Sequence, residues 1–265
     1  VKPRSLLVLA AALAVAWPCA AIVIRPDRDD AEYVELASRY TSALALGGFG
    51  EGVLIAPRWI LTSAAVGGAL RDARAARLPL PDRDHAIESI HLAPESIHAD
   101  LALILLAEPV DGIEPTPPHR ERDEQGKAVV IAGHGATGTI GGERALHDGR
   151  ARAGINTVDR MSDARLVLEV KKPDEASDLQ GAAAAGDEGA PAYIEAKGRL
   201  SVAGIAQAPR GAAIPKPGDE DIYTRVAAFT PWIDETMFRA AAEEAEKATA
   251  TPAAAPRAHP RKRPR

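Results

Sequence analysis

Cysteine is almost absent: Cys19 is the single one in the chain. It falls so near the start that the body can contain no disulfide, no thiolate nucleophile and no Cys-based zinc site. Aromatic residues make up only 4% of the sequence, so an interior has to be assembled mainly from Ala, Val, Leu and Ile. There is no His-Glu-x-x-His spacing, and neither a metal nor a cofactor is expected. The short apolar runs do not alternate with helical patterns, which argues against a βαβ architecture.

What is present begins with a leader pattern. Lys2 and Arg4 precede an apolar run from Leu6 to Ala16, and Cys19-Ala20-Ala21 offers small residues for cleavage, the layout of a signal peptide over residues 1–21. The alternative is an N-terminal membrane anchor, because Leu6 to Ile24 gives 19 uncharged residues. Pro18 and the small residues after it favour cleavage, so the expected location is periplasmic or secreted. The formal net charge of −5 conceals an asymmetry. Lys2 and Arg4 at one end, and Arg257, Arg261, Lys262, Arg263 and Arg265 at the other, leave the body at −12. An acidic body argues against nucleic acid as a main partner, and membrane contact is expected only through an uncleaved signal or the basic tail.

Residues 22–46 read as an N-terminal segment, with Ala31, Val34, Leu36, Ala37 and Tyr40 at helical spacing. From Gly47 the texture changes to short apolar runs broken by Gly and Pro. These place a first β-barrel at 47–115 and a second at 127–228, joined by a Pro-rich, charged linker at 116–126. Residues 229–248 have helical texture, with Pro231 at the start and Trp232, Ile233, Met237 and Phe238 as the docking face. The Ala/Pro-rich basic tail, 249–265, is expected to be disordered.

Five landmarks follow one another in order. Trp59-Ile60-Leu61-Thr62-Ser63-Ala64-Ala65-Val66 is similar to the Leu-Thr-Ala-Ala-His-Cys segment of the trypsin/chymotrypsin-like serine proteases. Asp100-Leu101-Ala102-Leu103-Ile104 resembles that family's Asp-Ile-Ala-Leu-Leu strand. Gly186-Asp187-Glu188-Gly189-Ala190-Pro191 resembles its Gly-Asp-Ser-Gly-Gly-Pro nucleophile loop. Ile222-Tyr223-Thr224-Arg225-Val226 and Pro231-Trp232-Ile233 look like its closing Val-Tyr-Thr-Arg-Val and Pro-Trp-Ile. The resemblance covers roughly Gly47 to Met237. It implies an all-β fold of two antiparallel six-stranded barrels with a C-terminal α-helix and a cleft between the barrels.

The same resemblance implies that the chemistry has been lost. Of the three triad positions only the acid is retained, at Asp100. Ala65 stands at the histidine position and Glu188 at the serine position. Peptide hydrolysis by this route needs an attacking hydroxyl, an imidazole to take its proton and an acid to orient the imidazole. The oxyanion-hole positions are the backbone N–H groups of Gly186 and Glu188. A carboxylate at 188 either repels a developing oxyanion or accepts those hydrogen bonds itself.

Asp187 matches the family's structural acid, which pairs with a buried Ile amine. Cleavage after Ala21 exposes Ile22-Val23-Ile24, similar to the activated Ile-Val terminus; the alternative is a local hydrogen bond within the loop. Ala182 to Ala185 reads as a small apolar wall of the substrate pocket, and Asp178 as a solvated turn. Gly133-His134-Gly135 resembles the family's Gly-Trp-Gly turn, and no helical pattern follows it as a phosphate-cradling loop requires. His98 reads as a loop histidine at a strand entrance. A carboxylate acid/base pair of Asp100 and Glu188 finds no other support in the sequence. The leading expectation is a pseudoprotease that binds a peptide or protein ligand. The alternatives are an active serine endopeptidase with unorthodox catalysis and a purely structural surface domain.

Overall fold

A computed structural model describes residues 22–208 and 214–250. The expected signal peptide and the tail beyond residue 250 lie outside the described residues. The chain opens with β1 (Val23–Ile24) and α1 (Asp30–Ala37). A first sheet follows, made of β2 (Ala43–Ala45), β3 (Glu51–Ala56), β4 (Trp59–Thr62), β5 (Arg77–Pro79), β6 (Asp84–Leu92) and β7 (Ala102–Leu106). Helix α2 (Ala64–Asp72) is inserted after β4. The remaining strands are β8 (Ala128–Gly133), β9 (Ala136–Thr137), β10 (Leu146–His147), β11 (Arg152–Thr157), β12 (Arg160–Met161), β13 (Arg165–Glu169), β14 (Gly181–Ala182), β15 (Pro191–Ala196), β16 (Arg199–Ala206) and β17 (Glu220–Arg225), followed by α3 (Val226–Ala250).

The first sheet has the order β2-β3-β4-β7-β6-β5, and the second has β11-β8-β15-β16-β17-β13-β12. All neighbours within them are antiparallel. Strands β1 and β14 pair separately, as do β9 and β10. Register shifts between Leu54 and Ala56, between Ile87 and Ser89, and between Ala192 and Tyr193 curl the sheets into half-barrels. The all-β expectation holds. The second sheet carries seven strands rather than six, because Arg160–Met161 folds back on β13 as a short outer strand. The first sheet begins at Ala43, ahead of the expected boundary at Gly47.

Both faces of the central strands are buried, as their unbroken apolar runs require. On β3 and β4, Leu54 and Ile60 enter the first barrel's interior, with Leu44, Leu70, Leu78 and Ile104. Their neighbours Val53 and Leu61 turn the other way, into a cluster shared with Tyr193, Val202, Phe229 and Ile233. The second barrel is filled by Val129, Ile131, Leu166, Leu168, Ile194 and Tyr223. The two halves are also joined by hydroxyls: Ser42 Oγ lies 2.8 Å from Thr116 Oγ1 and 2.8 Å from Tyr193 Oη. Glu124, at the end of the linker, is bound through both carboxylate oxygens by Arg225 at 2.8 and 2.7 Å.

Helix α3 starts at Val226, three residues before the expected 229, and runs to Ala250, two beyond the expected 248. Pro231 therefore sits inside the helix, where it cannot donate to the Ala227 carbonyl; Thr230 Oγ1 reaches that oxygen at 3.5 Å. Ile233 and Phe229 are buried, and Trp232 and Met237 pack against the shared cluster. Phe238 is a correction to the expected docking face, since it is 74% exposed on the opposite side of the turn. The far end of the helix is held where Arg58 bonds Glu244 at 2.8 Å and Glu88 at 2.5 Å. No helix among the described residues is long and apolar enough to cross a membrane.

Candidate functional site

Strand β4 ends where Ser63 takes over as the N-cap of α2, its hydroxyl accepting the Val66 N–H at 3.2 Å. This puts Ala64 and Ala65 in the first helical turn. Gly67 lets the helix lie flat on β7, since a Cβ there would fall 2.4 Å from Ala102 Cβ. Asp100, just before β7, accepts the Ala64 N–H at 2.9 Å through Oδ1, and its backbone oxygen accepts Thr224 Oγ1 at 3.3 Å. Asp100 is thus tied to the residue before the exposed Ala65, whose methyl group offers its carboxylate no hydrogen-bonding partner.

Residues 184–190 form a tight loop. Asp187 N–H donates to the Ala184 carbonyl at 3.0 Å, and Ala190 N–H donates to the Asp187 carbonyl at 2.9 Å. Gly189 has φ +89°, and a Cβ on it would lie 2.1 Å from the Glu51 carbonyl oxygen, so both conformation and contact require glycine. The loop joins the first barrel through Glu51, whose N–H donates to the Glu188 carbonyl at 2.8 Å. Glu51 in turn accepts Thr62 Oγ1 at its own carbonyl, 2.5 Å. Glu188 is half-buried, and its side chain folds back so that Oε2 accepts the Gly186 N–H at 3.0 Å. The Gly186 amide is therefore already bonded to a carboxylate.

Asp187 is fully buried. Its Oδ2 accepts the Ala184 N–H at 2.9 Å, while Oδ1 has no hydrogen-bond partner among the described residues. Burial pushes this carboxyl well above the usual range against the pull of the Ala184 amide, and Glu51, Asp221 and Glu188 push it further. Oδ1 and Ile22 Cδ1 flank the same glycine, Gly133. Ile22 is itself fully buried, and its carbonyl accepts Thr137 Oγ1 at 3.1 Å. The following Ile24 is stitched to the second barrel by its N–H on Gly138 O at 2.9 Å and by its carbonyl under Ile140 N at 2.8 Å.

A second acid is buried close to the alanine run. Ala182, Ala183 and Ala184 are buried and Ala185 is exposed, and Asp221 Oδ2 accepts the Ala183 N–H at 2.6 Å. Burial pushes the Asp221 carboxyl up to about 7. Tyr223 Oη is buried there without a partner among the described residues, and burial raises its pKa. The sequence reading placed an apolar wall at 182–185 but passed over Asp221, which sits on a strand 39 residues further on. The acid it did weigh, Asp178, is exposed and paired with Arg28.

Glu51 was missed altogether. It is 1% exposed, its Oε1 accepts the His134 N–H at 3.1 Å, and its Oε2 lies 3.0 Å from His134 Nδ1. Burial lowers His134 and the Glu51 carboxylate more than reverses this, leaving the imidazole raised. The signal was a lone acid between Gly50 and Gly52 at the head of an otherwise apolar run. Other histidines have partners or settings of their own. His98 is exposed in a left-handed turn at φ 49°, His85 bonds Asp82, His91 bonds Ser89, and His119 bonds Ser201. His119, Asp123 and Glu124 cluster closely enough to share a cation, but Glu124 is taken up by Arg225 and Asp123 by Lys127.

A two-barrel antiparallel β-fold, with an acid-bearing strand entrance on one half and a tight Gly-Asp-Glu-Gly loop on the other, defines a protease-type scaffold. The family model described as Trypsin matches residues 29–233. The chain belongs to the trypsin family.

Proposed function

We propose that this protein is an exported, catalytically silent member of its family that binds a peptide or protein segment in the cleft between its barrels. The observation that carries this reading is the 3.0 Å bond from Gly186 N–H to Glu188 Oε2. A catalytic site of this type needs that amide free, aimed at the oxygen of a tetrahedral intermediate. Here a fixed negative charge occupies it. With Ala65 in place of an imidazole, no group moves a proton, and with Glu188 in place of a hydroxyl, no group attacks. Losing members of such a unit is strongly non-additive, so the retained Asp100 does not preserve partial activity.

The binding role is supported by what the scaffold keeps. Asp100 still holds the first turn of α2, and the glycines of the loop still set its shape against Glu51. Asp187 remains buried with Oδ1 unpartnered among the described residues, which costs stability unless a bound group compensates. For Asp187 that group is proposed to be the Ile22 amine, freed by cleavage after Ala21.

The test uses purified mature protein with peptide, ester and casein substrates and an active-site-directed fluorophosphonate probe. No labelling and no turnover above buffer are expected, together with saturable capture of peptides by the same preparation. Probe labelling or turnover overturns the silent reading in favour of an active endopeptidase. Absence of any peptide capture overturns the binding role in favour of a structural domain.

A further inference from the structure

A cavity of about 500 Å3 opens on the seam between the two barrels beneath α1. Its size is that of a small-molecule site. Val34, Ala37, Tyr40 and Ile113 give it an apolar lining, and His134 and Arg150 are among the residues around it. No acidic side chain lines it among the described residues.

Both side chains are held in place from behind. Glu51, fully buried, fixes His134 through Nδ1 at 3.0 Å, and Nε2 makes no hydrogen bond to a described residue. Arg150 bonds Asp30 at 3.2 Å through one nitrogen only. Asp30 is already bound by Arg152 at 2.5 and 3.0 Å, so its charge is largely engaged and the rest of the Arg150 guanidinium is uncommitted. Preorganised donors on an apolar wall select for an anion with an apolar body.

We propose that this cavity binds an apolar group carrying a carboxylate, with the body against Val34, Ala37, Tyr40 and Ile113 and the carboxylate on His134 and Arg150. Two sources share that chemistry, a free aliphatic acid and the C-terminal residue of a peptide. The site makes no use of positions 65, 100 or 188, so it stands or falls independently of the silent-protease reading.

The experiment is calorimetric titration of the mature protein at neutral pH with decanoate and with acetyl-Ala-Ala-Leu, each against its carboxamide. At least one acid is expected to bind about tenfold tighter than its amide, and the tighter of the two acids identifies the source. Arg150→Gln and His134→Gln are each expected to weaken it about fivefold to tenfold, and Ala37→Phe, which fills the cavity, to abolish it. Arg150 is half-exposed, so its variant keeps the test decisive if the His134 variant does not fold. Equal affinity for acid and amide, wild-type affinity in Arg150→Gln and Ala37→Phe, or no heat from either acid at millimolar concentration overturns the proposal.

Discussion

Glu188 Oε2 lies 3.0 Å from the backbone nitrogen of Gly186, so the side chain closes onto an amide two residues before it. The loop that presents that amide is tightly bonded: Gly189 has a positive φ and the Asp187 N–H closes a turn on the Ala184 carbonyl. A scaffold preserved to this degree should accept its chemistry back. Ala65→His together with Glu188→Ser is expected to give ester hydrolysis at least about tenfold above buffer, while either change alone stays at the buffer rate, because the residues act as a unit. Initial rates on an activated ester, with circular dichroism as a folding control, check this.

Glu51 and His134 bridge the first and second barrels. His134→Gln leaves a buried carboxylate without its countercharge, a class of change that costs about 3–5 kcal/mol when fully buried. Since the His134 side chain is 25% exposed, a loss of about 2–3 kcal/mol is expected. Adding Glu51→Gln should recover part of it. Urea unfolding of the two variants measures the difference.

Stability should fall as pH rises from about 4 to about 8. Asp221 is held near 7 in the folded protein against an ordinary value of about 3.9 when unfolded. Over that window the folded state therefore binds the extra proton, and raising the pH removes stability, by as much as about 4 kcal/mol. Asp187 is raised as well and acts in the same direction. The raised His134 adds to the loss towards its folded value. Below pH 4 the sign reverses. His85 and the Asp111 amide overcome burial to hold Asp82 at about 2, so its stabilisation is lost as pH falls from about 4 towards 2. Melting temperature against pH should peak near 4–5, and Asp221→Asn should flatten the neutral limb.

A free amine at Ile22 should complement Asp187. Protein beginning at Ile22 is expected to melt higher than protein carrying residues before it, and carbamylation of the amine should remove the gain. Ionising Asp187 would also remove its share of the neutral pH slope. Equal melting of the two forms contradicts the pairing, as does exported protein that starts well past Ile24.

Much of the scaffold was legible because short apolar runs broken by Gly and Pro report buried strands directly. The all-β body and the C-terminal helix were both expected, and both are found. The two-residue strands were not legible, since pairings such as Val23 with Ala182 are decided by the partner and leave no pattern of their own. Helix α2 was hidden by its Ala/Gly content. It exists because Ser63 caps it and Gly67 docks it on Ala102. At the site, Gly186 and Glu188, which share a hydrogen bond, lie together in one short segment. Glu51 with His134, and Asp221 with Ala183, were not legible, because each joins residues far apart in the chain.

The most direct measurement of catalytic silence is fluorophosphonate labelling of the wild-type mature protein beside the Ala65→His/Glu188→Ser variant, read by intact mass. The expected result is an unmodified wild type and a singly labelled variant. A labelled wild type would contradict the reading of a scaffold whose oxyanion site is closed by its own Glu188.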